Sequence, residues 1–239
     1  MIRFRSDIEV RLIDSMGDDA RIASAAWVST SSEDGLKRAI ENPTDVSGVI
    51  NYLIKHRHGT PFEHCAMTFF VRAPIFVWRE WHRHRIGQSY NEESGRYKVL
   101  EPEFYIPDRE RPMIKVDGWK PGRPKFTRAP DEIYEKLCLN LKTVYETAYL
   151  AYEQNLSFGV DPGLARDCLP VGIYSSCWVT CNPRSLMAFL SLRVHDESAT
   201  FVSYPLWEID MAARQCEEVL KAGWPITHAA FIKNGRVAP

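Results

Sequence analysis

The stretch CAMTFFVRAPIFVWREWHRHR, residues 65–85, decides the fold because its character changes at one proline. The part from Ala66 to Arg72 is rich in aromatic residues and predicts a strand. Pro74 ends that strand, since proline cannot donate to a strand ladder, and the part from Ile75 to Arg83 predicts a helix. One short stretch therefore contains both kinds of element that the rest of the chain predicts.

Hydrophobic periodicity extends the prediction on both sides of this stretch. Strands are predicted at Ile8 to Ile13 and at Tyr97 to Ile106. Helices are predicted from the acidic start at 18–19 to Ser29, at Glu33 to Glu41, at Asp45 to His56, from Pro130 onward, at Arg184 to Val194 and at Pro205 to Ala222. In the helix after Pro130, one apolar stripe is formed by Ile133, Leu137, Leu141, Val144, Ala148 and Tyr152. We expect one α+β domain over residues 1–239, with an antiparallel sheet, flanking helices and a helix-rich second half.

The composition is that of an ordinary globular protein, with 45% hydrophobic and 26% charged residues. The 30 basic residues nearly balance the 31 acidic ones, so the net charge gives no reason to expect DNA or an anionic membrane as partner. The first residues lack the apolar core of a signal peptide, and no apolar stretch has the length of a membrane span. We expect a soluble, cytoplasmic protein.

The six cysteines are scattered and form no CxxC pair. Cys177 and Cys181 are four residues apart, close to one helical turn, within the apolar run IYSSCWVTC. Small buried hydrophobes are the favoured interpretation of this pair, and a metal or redox pair is the alternative.

Arginine is twice as frequent as lysine, with 20 Arg against 10 Lys. A guanidinium can bind phosphate or carboxylate with two parallel hydrogen bonds, whereas an ammonium acts as a point charge. The arginines cluster in WREWHRHRIGQSYNEESGRY, residues 78–97, which holds Arg79, Arg83, Arg85 and Arg96. Their mutual repulsion predicts a site for a polyanion, with a solvated, salt-bridged face as the alternative.

Residues 107–129 are the least regular part of the chain and carry seven basic against three acidic side chains. They predict an irregular basic loop, either a solvated surface loop or a mobile loop over an anionic ligand.

The segment KHRHGTPFEH, residues 55–64, raises the question of a metal, since His56, His58, His64 and Glu63 are possible ligands. Pro61 breaks any helix that would bring two of the histidines to one face, and no HExxH pattern is present. Capping, packing or nucleotide contacts are therefore the favoured roles. A metal-dependent hydrolase that also uses His82 and His84 stays as an alternative.

Two further blocks contain isolated arginines: LARDCLP, residues 164–170, with Arg166, and NPRSLMAFLSLR, residues 182–193. In a helix, Arg184 and Arg193 lie on opposite faces, so one helix could serve two ligands or two subunits.

The four blocks together resemble the flavin-dependent thymidylate synthases. RHR at 83–85 followed by SYNEESGRY is similar to the signature of that family, in which RHR is followed by seven variable residues and serine; here eight residues intervene. HGTPFEH, the ARxxLP-type segment at 165–170 and the segment at 182–193 are similar to other blocks of the family, in the same order, over residues from about 25 to 231.

The resemblance implies an enzyme that makes dTMP from dUMP, with a methylene from 5,10-methylenetetrahydrofolate and a hydride from NADPH through bound FAD. It implies a homotetramer with active sites between subunits. FAD contacts would be Ser29, His58, Thr60, Glu63, Arg83, His84, Arg85, Glu92, Asn182 and Arg184. Contacts to dUMP would be Glu80, Arg83, Glu92, Glu93, Ser94, Gly95, Arg96, Arg166 and Arg193.

Arg193 is the residue to which we assign the catalytic role within this resemblance. Uracil C5 becomes nucleophilic only as negative charge builds on the ring, and a fixed guanidinium at the N3/O4 edge stabilises that form. No metal is expected. The competing hypothesis from another class is a nucleic-acid-binding module that uses the basic segment 109–128 and the arginines at 78–97.

Overall fold

The structure is a computed structural model that describes residues 1–31, 38, 41–118 and 120–239, and it has an α+β fold. Tertiary contacts divide the chain into two compact units. The first unit comprises Met1–Ile8, Arg72–His82 and Glu92–Cys177, and the second comprises Glu9–Val71, Arg83–Asn91 and Trp178–Pro239. The expectation of a single domain over 1–239 stays a prediction.

The described strands form one larger sheet and two pairs. Their bounds are β1 Arg3–Arg5, β2 Glu9–Met16, β3 Ala66–Pro74, β4 Gln88–Glu92, β5 Glu103–Tyr105, β6 Pro112–Lys115, β7 Phe126–Arg128 and β8 Tyr174–Cys181. The larger sheet has the order β2-β3-β8-β4. Strands β6 and β7 pair antiparallel, whereas β1 and β5 pair parallel, which the sequence did not indicate.

The described helices include six that were predicted and two that were not, at Pro162–Ala165 and Pro225–Lys233. They are α1 Asp19–Ser31, α2 Pro43–Lys55, α3 Ile75–Trp81, α4 Asp131–Ser157, α5 Pro162–Ala165, α6 Pro183–Arg193, α7 Trp207–Gly223 and α8 Pro225–Lys233, with 3₁₀ turns at Thr60–His64 and Arg166–Cys168. None of these helices is long and apolar enough to cross a membrane. The helix predicted at Glu33 to Glu41 falls largely outside the described residues.

Three tyrosines of α4 provide the core of the first unit. Tyr145, Tyr149 and Tyr152 are buried, and the Tyr145 ring stacks on Phe104 with 4.7 Å between ring centroids. The stripe predicted for this helix is therefore wrong in part, because Ile133 and Val144 are about half exposed. The buried stripe lies on a neighbouring face, where phenol hydroxyls can satisfy buried backbone groups that aliphatic side chains cannot.

The second unit is held together at its C-terminal end by buried charges. Arg236 donates two hydrogen bonds to Glu217, at 2.8 and 2.9 Å, and His228 contacts the same carboxylate at 3.0 Å. Asp19 at the start of α1 accepts from the backbone N–H of Ile226 and from Thr227. The N-terminal helix and the last helix of this unit are thereby joined.

Three further sequence predictions need correction. Residues 107–129 are not wholly irregular, since β6 and β7 form a hairpin there with a register shift between Pro112 and Ile114. The strand predicted at Tyr97 to Ile106 is reduced to β5. Cys177 and Cys181 lie in a strand and not on a helical turn, although both are buried as the favoured interpretation predicted.

Candidate functional site

The first unit contains a cavity of about 450 Å³, a size typical of small-ligand sites. Helix α3 contributes Arg79, the end of β4 contributes Glu92, the turn after it contributes Glu93 and Gly95, and the 3₁₀ turn contributes Arg166. Apolar walls complete the cavity, from Ile75, Leu100, Leu169, Val171 and Ile173. Four positions for which the resemblance implies dUMP contacts, Glu92, Glu93, Gly95 and Arg166, thus line one cavity.

Strand β8 fixes both carboxylates of this cavity. Glu92 accepts a hydrogen bond from the Ser175 hydroxyl at 2.5 Å. Glu93 accepts from the backbone N–H of Ser176 at 2.8 Å and forms an ion pair of 2.7 Å with Lys98. The backbone N–H of Glu93 also donates to the Ser176 carbonyl, so the turn after β4 cannot move independently of the strand.

Gly95 lies where the cavity lining leaves little room for a side chain. A Cβ at this position would lie 3.0 Å from a methyl carbon of Leu100 and 3.1 Å from Cδ of Arg166. Both distances are tighter than ordinary van der Waals contact, so a side chain here would displace Arg166 or the Leu100 wall.

The two arginines of the cavity have their donors available. Arg79 is exposed and Arg166 half-buried, and neither has an ion-pair partner in the described part of the chain. Arg79 belongs to the arginine block at 78–97, for which the sequence predicted a polyanion site, but the resemblance implied no ligand contact for it. Its position within that cluster was the signal that could have identified it.

The Leu100 wall of the cavity is fixed by α4. The backbone N–H of Leu100 donates to the Tyr152 hydroxyl at 3.1 Å, and the Tyr149 hydroxyl donates to the Leu100 carbonyl at 2.9 Å. Both backbone groups of this residue are therefore satisfied by the buried tyrosines described above.

The RHR block lies in the second unit, in the turn that leads into β4. Gly87 has a left-handed backbone, φ +63°, and a Cβ there would come within 2.2 Å of the Ser185 hydroxyl, so this position requires glycine. Asn182 caps α6 by accepting from the backbone N–H of Ser185 at 2.9 Å. The turn after RHR therefore packs against the first turn of α6.

Arg184 is held by the segment from Gly59 to Glu63 and by Pro239. It donates to Glu63 at 2.5 Å and to the Pro239 carbonyl at 3.0 Å. A Cβ at Gly59 would come within 2.3 Å of the Arg184 guanidinium, so the side chain lies directly on the Gly59 backbone. Two predicted FAD contacts, Glu63 and Arg184, are thus in direct contact.

Arg193, at the other end of α6, contacts His84 of the RHR block. Its Nε donates to His84 Nε2 at 2.9 Å. Burial lowers the pKa of His84 to about 4, and the charge of Arg193 acts in the same direction. His84 is therefore neutral at physiological pH, with a lone pair on Nε2.

The remaining predicted residues are dispersed. In the second unit, Arg83, Arg85, His58 and Thr60 are exposed, and the Ser29 hydroxyl donates within its own helix to Ala26 at 2.9 Å. In the first unit, Glu80 lies on α3, Ser94 accepts from the backbone N–H of Arg96, and the Arg96 guanidinium lies over the Tyr97 ring. Glu80, Ser94 and Arg96 do not line the cavity.

A smaller cavity of about 290 Å³ in the first unit lies beside Arg5 and Arg109. Both cations are already paired, Arg5 with Asp7 and Arg109 with Asp131. Among the described residues, no group of three or more His, Cys, Asp or Glu side chains is arranged to hold a metal ion.

Comparison with known proteins gives consistent matches over the whole chain. The family model described as thymidylate synthase complementing protein matches residues 11–226. A flavin-dependent thymidylate synthase of Streptomyces coelicolor is 48% identical over 238 residues, with 100% of this chain and 96% of the relative covered. One from Tropheryma whipplei strain TW08/27 is 44% identical, with 99% and 97% covered.

Solved structures give the same result. The UMP/dUMP methylase PolB from Streptomyces cacaoi, bound with 5-Br dUMP, is 42% identical with a TM-score of 0.92, and each chain is covered completely. This fold and these relatives define an enzyme of the flavin-dependent thymidylate synthase class. The chain belongs to the thymidylate synthase complementing protein family, which confirms the resemblance seen in the four sequence blocks.

Proposed function

We propose that the protein catalyses the reductive methylation of dUMP to dTMP, with FAD as cofactor. The observation that carries this proposal is the cavity of the first unit, in which Glu92, Glu93, Gly95 and Arg166 lie together. The overall reaction consumes dUMP, 5,10-methylenetetrahydrofolate and NADPH with a proton, and it yields dTMP, tetrahydrofolate and NADP⁺. The methylene carbon becomes bonded to C5 of the uracil as the C5 proton leaves.

Within the cavity, the two unpaired arginines suit the 5′-phosphate. A phosphate monoester carries a charge of about −1.5 to −2 at neutral pH, and Arg79 and Arg166 can each offer a bidentate donor pair. Glu92 and Glu93 are acceptors whose positions β8 fixes, and they suit the 3′-hydroxyl of the deoxyribose.

The residues of the second unit fit FAD by the chemistry of their donors. Arg83 and Arg85 are exposed and have no ion-pair partner in the part of the chain that the structure describes. With His58 and Thr60 they would provide cations and hydrogen-bond donors for a pyrophosphate, and Asn182 and Arg184 would be further contacts. When bound, FAD supplies the hydride chemistry that the side chains lack.

Arg193 serves the chemical step in this proposal by stabilising negative charge at the N3/O4 edge of uracil. A guanidinium is suited to this because it is charged at every physiological pH and is planar. Its charge is most effective where the surrounding protein excludes water.

The direct test of the function is the absorption spectrum and activity of the purified protein. We expect flavin absorbance between about 350 and 500 nm, either as purified or after FAD is added. We also expect dTMP to form with NADPH oxidation only when dUMP and methylenetetrahydrofolate are both present. Protein that neither carries nor binds flavin would refute the proposal.

Replacing Arg166 by glutamine is expected to weaken dUMP binding by about tenfold to a hundredfold, because a charged hydrogen bond to phosphate is lost. Titration calorimetry with dUMP measures the effect, and affinity for deoxyuridine, which lacks the phosphate, should change little. Arg128→Gln is the control, since this arginine is exposed and pairs with Glu110 outside the cavity. Equal losses for both ligands would contradict the assignment to phosphate.

Replacing Arg85 by alanine is expected to weaken FAD retention by about tenfold or more, since a cation beside the pyrophosphate is removed. The flavin-to-protein ratio after gel filtration gives the readout. Arg11→Ala removes an exposed arginine of the same unit, paired with Glu9, and should leave the ratio unchanged. Unaltered flavin content in both Arg85→Ala and Arg83→Ala would argue against a flavin role for RHR.

We also propose a homotetramer whose active sites lie between subunits. The proposal of a homotetramer is supported by exposed apolar side chains on α4. These are Leu139, Val144 and Leu150. Light scattering should give about four times the 27.5 kDa mass of one chain.

A further inference from the structure

Within the second unit, two side chains of α6 contact the imidazole of His84. Arg193 Nε donates to His84 Nε2 at 2.9 Å, and Phe189 meets the imidazole edge-on, with 4.9 Å between ring centroids and planes at 79°. Phe189 and Arg193 are four residues apart on α6, so both contacts come from one face of that helix.

The backbone that carries His84 is fixed as well. The Tyr90 hydroxyl donates to the His84 carbonyl at 2.5 Å and contacts the Gln88 side chain at 2.7 Å. The left-handed turn at Gly87 packs against Ser185 at the first turn of α6. The position of the imidazole is therefore set by the turn and by α6, without any ligand.

A hydrogen bond at Nε restricts rotation about the last bond that orients a guanidinium. It fixes the plane of the group and thus the direction of its two terminal nitrogens. Catalytic groups are effective when they are preorganised, and a misplacement of about 1 Å can cost on the order of 10²-fold in rate.

We propose that His84 is a positioning residue for Arg193, which as a neutral hydrogen-bond acceptor orients the guanidinium toward the uracil ring. This inference rests on the proposed function, because it takes Arg193 to act on uracil. It adds a second role to a residue for which the resemblance implied only flavin contact. The other ring nitrogen, Nδ1, carries the proton in this tautomer and is the donor that could still serve the flavin.

Two variants of the full-length, FAD-loaded enzyme separate these roles. His84→Phe keeps an aromatic ring against Phe189 but lacks the acceptor, and we expect kcat to fall about tenfold or more while KM for dUMP changes less than about threefold. His84→Gln restores an acceptor oxygen near the former Nε2, so it should recover most of the activity. Flavin content is measured in every variant to detect a loss of cofactor.

The decisive experiment is a double-mutant cycle with Arg193→Ala. If His84 acts through Arg193, adding His84→Phe to Arg193→Ala should lower kcat by less than about twofold further. Losses that multiply, or a His84→Gln variant as impaired as His84→Phe, would overturn the proposal.

A binding readout keeps this test independent of turnover. 5-Fluoro-dUMP has a ring that ionises more readily than uracil, so its affinity reports stabilisation of the anionic ring. His84→Phe should weaken its binding in the presence of Arg193 and should have no effect in Arg193→Ala, as measured by calorimetry. If the variants show this coupling but the wild-type protein makes no dTMP, the proposed function alone is refuted. If the wild-type protein makes dTMP but the variants show no coupling, the role of His84 is refuted.

Discussion

Replacement of Arg193 by alanine is expected to lower the rate of dTMP formation by at least about 10²-fold, with bound flavin nearly unchanged. The reason is that the positive charge acts on the uracil ring as it becomes anionic, and no other group replaces it. Initial rates at saturating dUMP measure the loss, and absorbance of the purified protein measures the flavin.

The control for Arg193→Ala is Arg214→Ala. Arg214 is a half-exposed arginine of the same unit, and it forms an i,i+4 ion pair with Asp210. Its replacement should leave the rate within about twofold of wild type, because exposed ion pairs contribute little. A comparable loss of FAD in Arg193→Ala would show that Arg193 serves the flavin and not the pyrimidine.

Replacement of Glu217 by alanine is expected to destabilise the protein by about 3–5 kcal/mol, because it leaves the buried Arg236 guanidinium without its bidentate partner. For a chain of this length, such a loss lowers the melting temperature by more than roughly 6 °C. Chemical and thermal denaturation measure it. Glu218→Ala is the matched control, since its neighbouring carboxylate is exposed and contacts only Lys221, at 3.4 Å, among the described residues.

The same carboxylate gives a defined pH dependence. Burial by itself would raise the pKa of Glu217, but hydrogen bonds from His228 and Arg236 outweigh it and lower the pKa from 4.5 to about 2. A lowered folded-state pKa means stabilisation that is complete above about pH 4.5 and is lost as the pH falls toward 2. Glu217→Ala should therefore differ most from wild type near neutral pH and least near pH 2, and a constant difference would contradict this account.

The sequence predicted best those helices and strands whose capping and periodicity signals lie within the element itself. Helix α2 has an apolar face and Pro43 at its start, and α6 has Asn182 as N-cap with Pro183 in its first turn. Strand β3 ends at Pro74 as expected. Local signals suffice for such elements because capping and periodicity operate within one turn or one strand.

Elements that depend on distant partners were predicted poorly. The pair β6 and β7 consists of strands of four and three residues, too short for a periodic signal. On α4, two apolar stripes of helical spacing compete, and the one with Tyr145, Tyr149 and Tyr152 is buried. Its advantage is the hydrogen bonds of the tyrosine hydroxyls to Leu100, about fifty residues away, which periodicity does not reveal.

The same difference between local signals and distant contacts applies to the candidate site. The arginines of the block at 78–97 indicated a site for a polyanion, and Arg79, Glu92, Glu93 and Gly95 of this block line a cavity. The resemblance implied no contact for Arg79 because the family motif begins after it. The contact between His84 and Arg193 joins residues more than one hundred positions apart, and no spacing rule connects them.

The two tyrosine hydroxyls on Leu100 have a consequence for how this cavity can change. One wall of it is attached through its main chain to a 27-residue helix, so replacing the Leu100 side chain alters the lining without moving the wall. Moving the wall requires changes at Tyr149 or Tyr152, which never face the ligand. In this enzyme, selection for a differently shaped substrate would therefore produce substitutions in the hydrophobic core as well as in the pocket.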